Sequence, residues 1–211
     1  MILNLLKKDC IIIKTNLLLM IGFTIFFSVF LVLRTPGLAG APLFITLSIF
    51  IPMLTTSFVS QADYKAYKAI PLLCASPYSR TAMVIARYVF LYMMFFYCCI
   101  VYITVMSILQ MEQIHFMSVL TSFLILSILY GICEPLEYKI GFEKVQYLFI
   151  MLIMVIPFGI AFIIKLDLLS NIQITKMPPN SVLYILMAAA IIIVNAVSIV
   201  ISSHIFSRRE L

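Results

Sequence analysis

The sequence predicts an all-α membrane protein, with six transmembrane helices and a short cytoplasmic surface helix between the second and third. Three observations predict it. Of 211 residues, 64% are hydrophobic and only 10% are charged, whereas a soluble domain carries about 25% charged residues. The apolar residues form long runs, such as Leu17 to Leu33 and Tyr88 to Leu109, which approach or exceed the ~20 residues that carry a helix across a ~30 Å hydrocarbon core. The lysines and arginines fall in the short breaks between those runs, so the net charge of +6 is a topology signal and no nucleic-acid partner is expected.

Apolar runs read against polar breaks place the spans at about 12–33, 43–59, 82–108, 115–133, 145–164 and 182–203. The first follows Lys7, Lys8 and Asp9 and is not succeeded by a small-residue cleavage motif, so it reads as a retained helix and not a signal peptide. Arg34-Thr35-Pro36-Gly37 and Gly40-Ala41-Pro42 close a tight hairpin to the second span, because proline and glycine stop one helix and proline is tolerated at the start of the next. The longest break between spans, around 60–81, separates the second from the third. Pro52 and Pro157 are candidate flex points within spans. Residues 1–211 are expected to form a single membrane domain without an appended module.

Orientation follows from counting basic residues on each side. One side takes Lys7, Lys8, Lys14, Lys65, Lys68, Arg80, Arg87, Lys139, Lys144, Arg208 and Arg209, which is 11, and the other takes Arg34, Lys165 and Lys176, which is 3; together they are all 14. Both termini are therefore expected in the cytoplasm, together with the 60–81 and 134–144 breaks. Cys10, Cys74, Cys98, Cys99 and Cys133 all fall inside the cell or the bilayer on this topology, which disfavours disulfides.

Several chemistries lack their residues. None of Gly22, Gly37, Gly40, Gly131, Gly141 and Gly159 belongs to a phosphate-cradling G-x-x-x-x-G-K-[ST] loop. His115 and His204 lie at span boundaries, outside any H-E-x-x-H pattern. No catalytic, metal or cofactor residue is assigned, and the chain is not expected to be an enzyme. Inside the spans, Arg87 reads as a residue that snorkels back to the interface, and Asn195 as an amide bonded to a neighbouring helix.

Two breaks carry more pattern. In 61–80, Tyr64, Tyr67, Pro71 and Cys74 recur at helical spacing beside a stripe of Lys65, Lys68 and Leu72, as in a short helix lying along the membrane surface. Pro71 ends or kinks it, and Ser76-Pro77 reads as the cap and first turn of the third span's helix. A headgroup anchor and a docking helix for a cytoplasmic partner both fit this spacing. In 134–144, Glu134, Glu137 and Glu143 accompany Tyr138, Lys139 and Lys144. The acids read as solvated charges or ion pairs with the two lysines.

Asn4-Leu5-Leu6-Lys7-Lys8-Asp9, Asp63-Tyr64-Lys65, Ser76-Pro77-Tyr78-Ser79-Arg80, Tyr138-Lys139-Ile140-Gly141-Phe142-Glu143-Lys144 and Phe206-Ser207-Arg208-Arg209-Glu210 together resemble the small type-two ABC transporter permeases of Gram-positive bacteria. Among these, the permease subunits of the phenol-soluble modulin exporter are similar. The resemblance covers almost the whole chain. It implies that 62–76 is a coupling helix seated on a separate ATPase, through Asp63, Tyr64, Lys65, Tyr67, Lys68, Ser79 and Arg80. The second cytoplasmic break would contribute Glu137, Tyr138, Lys139, Glu143 and Lys144. The family pattern carries a clear acidic residue after the coupling helix where this chain has Cys74-Ala75 before its turn, although Ser79-Arg80 is kept.

The resemblance further implies an ATP-driven exporter with two ATPase copies, a second permease copy, membrane lipid around it and amphipathic or antimicrobial-type peptides as cargo. ATP and magnesium would be held by the ATPase, with no cofactor on this chain. Two rivals stand beside it: a non-transporting immunity or scaffold protein, and an intramembrane enzyme, for which polar residues would have to converge at one depth.

Overall fold

A computed structural model of the chain describes residues 2–34, 40–65, 79–110, 115–151, 155 and 180–208. Its regular elements are helices: α1 (Ile2–Ile12), α2 (Lys14–Arg34), α3 (Ala41–Lys65), α4 (Arg80–Ile108), α5 (Phe116–Ile140), α6 (142–151) and α7 (Asn180–Arg208). Five of them, α2, α3, α4, α5 and α7, are long and apolar enough to cross a membrane. The expected fifth span, 145–164, is described and helical at 145–151 and 155, and its remainder lies outside the described residues.

The helix ends explain the lengths. Ser79 holds an extended backbone, and its hydroxyl accepts a hydrogen bond from the Ala82 amide at 3.2 Å, satisfying one of the donors that the first turn of a helix leaves open. The third span's helix is therefore capped by Ser79 and not by Ser76 as the sequence suggested. At the end of α5, Gly141 has φ +95°, a conformation that glycine adopts without a Cβ penalty. The α1–α2 boundary falls at Ile13, whose amide still bonds the Asp9 carbonyl at 3.2 Å, so α1 and α2 are joined by a single irregular residue.

The five long helices share two ends. At one end Tyr102 of α4 reaches the Gly40 backbone at 3.3 Å, and Phe116 and Tyr184, at the starts of α5 and α7, meet edge to face with centroids 5.8 Å apart. At the other end, rich in lysine and arginine, lie α1, the end of α3, the starts of α4 and α6, and the ends of α5 and α7. Lys8 meets Asp63 there at 3.3 Å, Tyr64 bonds Glu143, and Arg80 bonds the Phe206 and Ser207 carbonyls at 3.1 and 2.8 Å. The core is centred on α3 and α4, with Phe44, Ile51, Met53, Tyr88, Leu91 and Phe95 among its most buried side chains.

Two boundaries depart from the sequence reading in the same direction. α3 was expected to end near residue 59 and runs to Lys65; α5 was expected to end near 133 and runs to Ile140. Both helices carry acidic residues past the apolar run because those acids find cations inside the protein. As a result the expected 62–76 surface helix does not begin at residue 62: residues 62–65 are the last turn of α3. The rest of it, with Tyr67, Lys68, Pro71 and Cys74, lies outside the described residues, as does Pro157.

Candidate functional site

The most charged feature of the described protein is buried. Ser60 and Asp63, three residues apart, share one face of α3, and Glu134, Glu137 and Tyr138 share one face of the last turns of α5. Arg87, seven residues after the first residue of α4, points between them. Its Nη2 is 2.9 Å from Asp63 Oδ2, its Nη1 is 2.7 Å from Ser60 Oγ and 3.2 Å from Glu137 Oε1, and its Nε is 4.0 Å from Glu134 Oε1. Ser60 closes the ring by donating to Glu137 Oε2 at 3.0 Å. The guanidinium also lies 6.0 Å from the centre of the Tyr138 ring.

From α1, Lys8 bonds both Asp9, at 2.9 Å, and Asp63, at 3.3 Å. Asp9, Asp63, Glu134 and Glu137 are thus four carboxylates facing two cations, all within the basic end. The planar five-donor fork of arginine suits this position, since it contacts α3 and α5 at once and a single ammonium has no such spread. The side chain of Arg87 is only 14% exposed, so it does not snorkel to the interface; carboxylates brought to it replace the water it would otherwise seek.

Two features complete the electrostatics. Burial raises the Asp9 carboxyl above its ordinary range, with the Lys8 ammonium beside it lowering it in part. Glu134, 1% exposed, lies beside the buried Tyr130 and Tyr138 side chains, with Arg87 Nε 4.0 Å from its Oε1. A small recess between Asp9, Thr56, Val59, Arg87, Phe90 and Tyr130 adjoins the cluster.

A line of polar contacts continues from the cluster toward the middle of the helices. Tyr88 bonds Ser198, which donates to the Gly131 carbonyl at 2.8 Å. About one turn further, Tyr92 donates to the Asn195 carbonyl oxygen while the Asn195 amide donates to Ser127 at 3.3 Å. These contacts join α4, α5 and α7. Asn195 bonds two neighbouring helices, as its position in an apolar run suggested.

The sequence-assigned docking residues separate into two groups. Tyr64, Lys65 and Ser79 are exposed, and Arg80 is half-buried against the end of α7. Asp63 is turned inward, and this differs from a place on a docking face. In the second break Lys139, Glu143 and Lys144 are exposed, while Glu137 and Tyr138 are buried in α5. Glu134 and Glu137 are therefore neither solvated nor paired with Lys139 and Lys144. The exposed Tyr64 ring packs 5.8 Å from the buried Phe142, which ties the end of α3 to the start of α6.

Sequence reasoning missed the cluster because its members were assigned to three different loops and spans. The signal was present: Tyr130, Glu134, Glu137 and Tyr138 continue the helical period past the apolar run, Ser60 and Asp63 do the same on α3, and a buried arginine requires acids nearby.

No curated protein and no solved structure matches the chain. A family model described as ABC-2 family transporter protein matches residues 4–207. That span contains α2 to α6, all but the last residue of α7 and the charge cluster, and the chain belongs to the ABC-2 family of transporter proteins.

Proposed function

We propose that this permease subunit works in an ATP-driven exporter, with a second permease copy and two copies of a separate ATPase, and that its 62–76 segment is the contact through which the ATPase acts. The observation that carries this reading is the placement of the two ends of that segment. Tyr64 and Lys65 are exposed on the last turn of α3 and Ser79 caps α4, so any displacement of the intervening residues pulls on two central spans at once. The 11-to-3 distribution of basic residues supports placing this end, and both termini, in the cytoplasm, where an ATPase meets ATP and magnesium. The exposed Tyr64, Lys139, Glu143 and Lys144 support the second break as a neighbour in the same contact.

Amphipathic or antimicrobial-type peptides are the proposed cargo. The resemblance to peptide-exporting permeases supports this, together with wholly apolar outer faces on which Phe26 and Phe96 are exposed, suited to a substrate that partitions into lipid before it is moved. Nucleotide shifts such a machine only if the ATPase contact differs between inward-facing and outward-facing states.

Co-purification of the ATPase with Tyr64→Ala/Tyr67→Ala and with Lys65→Ala/Lys68→Ala tests the reading. An aromatic anchor in a partner groove is worth about 2 kcal/mol or more, so the tyrosine variant should lose the ATPase while the membrane domain still folds. A headgroup anchor would instead make the lysine variant the more damaging, at about 1 kcal/mol per lysine. Full ATPase association and full ATP turnover in the tyrosine variant would overturn the coupling assignment.

A further inference from the structure

We propose that Arg87 is a positioning residue for energy coupling: the Arg87–Asp63–Lys8 and Arg87–Glu137 contacts clamp the two arms of the 66–78 segment to α1 and α5, so that a push on the segment moves four helices together. This rests on the reading of that segment as the ATPase contact.

The argument is geometric. Asp63 lies two residues before the last residue of α3, and Arg87 seven after the first residue of α4. Their 2.9 Å contact therefore bridges the last turns of α3 and the first turns of α4. Without it, a helix pair joined only through a loop could absorb a push by splaying apart. With it, the arms keep a fixed separation. Lys8 extends the clamp to α1 through the same Asp63 carboxylate, whose two oxygens are divided between Lys8 and Arg87. Ser60 and Glu137 extend it to α5, whose other neighbour is α7 through the Gly131–Ser198 contact.

A cluster that served folding alone would need only neutralised charge at this place. The observed arrangement does something more specific, since each arm of the segment is tied to the other and to helices that do not flank it. Interactions of this kind are discrete, made or broken, and so suit a joint that passes displacement without deforming. Glu134, with Oε1 4.0 Å from Arg87 Nε, adds a second acid of α5 to the joint.

The test uses the full complex with its ATPase in membrane vesicles, with Asp63→Asn and Arg87→Lys as the variants. Asp63→Asn keeps the side-chain shape and removes the charge; Arg87→Lys keeps the charge and removes the fork. The readout is labelling of His115→Cys, at the far end of α5, by a membrane-impermeant maleimide with and without ATP plus vanadate. The labelling background has the five native cysteines replaced. ATPase association and ATP turnover are measured alongside.

The expected result is that the unmodified cluster shows a nucleotide-dependent change in labelling, and that both variants bind the ATPase and hydrolyse ATP but lose that change. Variants that keep the full change would overturn the proposal. Loss of ATPase association together with the change, in Arg87→Lys as well as in Asp63→Asn, would overturn it in favour of a purely structural cluster. If the ATPase fails to associate even with the unmodified chain, the reading of the 62–76 segment fails, a result distinct from both.

Discussion

At the residue scale the protein is organised around one guanidinium. A charge removed from water inside a membrane domain is costly, and Arg87 is tolerated because Asp63 and Glu137 lie at bonding distance and Ser60 holds Glu137 in place. Removing one partner leaves the others uncompensated, which for a buried ion pair costs about 3–5 kcal/mol. Arg87→Ala should therefore lower the thermal unfolding temperature in detergent sharply, and adding Asp63→Asn and Glu137→Gln should recover part of the loss. A triple variant no more stable than Arg87→Ala would show that the acids are not what Arg87 compensates.

Asp9 offers a pH test at the same scale. Its carboxyl is raised by burial, so the folded protein holds that proton more tightly than the unfolded chain does. Its contribution to stability is fully present below the ordinary carboxyl range and is lost as pH rises through the raised folded value. Asp9→Asn, which has no such proton to lose, should gain stability relative to the parent through the window that opens as pH rises above the ordinary carboxyl range. A constant difference across that window, measured by thermal unfolding, would mean that Asp9 is not burdened by burial.

At the scale of elements, the polar line through α4, α5 and α7 and the small residue at its centre set how closely α5 and α7 approach. A Cβ placed on Gly131 would sit 3.3 Å from Ser198 Cβ and Oγ, so alanine requires a shift of a few tenths of an ångström and leucine forces the helices apart. Gly131→Leu should cost about 1–3 kcal/mol through overpacking. Asn195→Ala should cost less, near ~0.6 kcal/mol per interhelical hydrogen bond. The two effects can be compared by unfolding in mixed micelles, and a larger loss for Asn195→Ala would place the control in hydrogen bonding and not in close packing.

The same elements show what a sequence conveys. The helical class, five of the expected spans and the bonding role of Asn195 were legible because apolar length and a lone amide act locally. The ends of α3 and α5 were not. Asp63, Glu134 and Glu137 stop an apolar run, and hydropathy alone reads them as loop. Cations contributed by α4 and α1, out of view of a local window, make their burial stable. Arg87 was read as snorkelling for the complementary reason: its partners had been placed outside the membrane domain. The cap at Ser79 was displaced from Ser76 because both are serines in favourable contexts, and hydrogen-bond geometry, not sequence, selects between them.

At the scale of the whole molecule, α1, the end of α3, the start of α4, the ends of α5 and α7 and the start of α6 meet at one basic end. If that end is cytoplasmic, an impermeant maleimide applied to intact cells should label Met177→Cys and spare Ser207→Cys; the reverse pattern would invert the topology. The purified chain alone should show no ATP turnover, since its glycines form no phosphate loop. Turnover abolished by a mutation within the chain itself would contradict that division of labour.

The central claim is that the segment between α3 and α4 touches a separate ATPase, and a photoreactive amino acid at Tyr67 tests it most directly in native membranes. Irradiation should give an adduct containing this chain and an ABC ATPase, with a yield that changes when ATP and vanadate are added. Adducts with lipid alone, in cells where the ATPase and this chain are both present and export proceeds, would contradict the account.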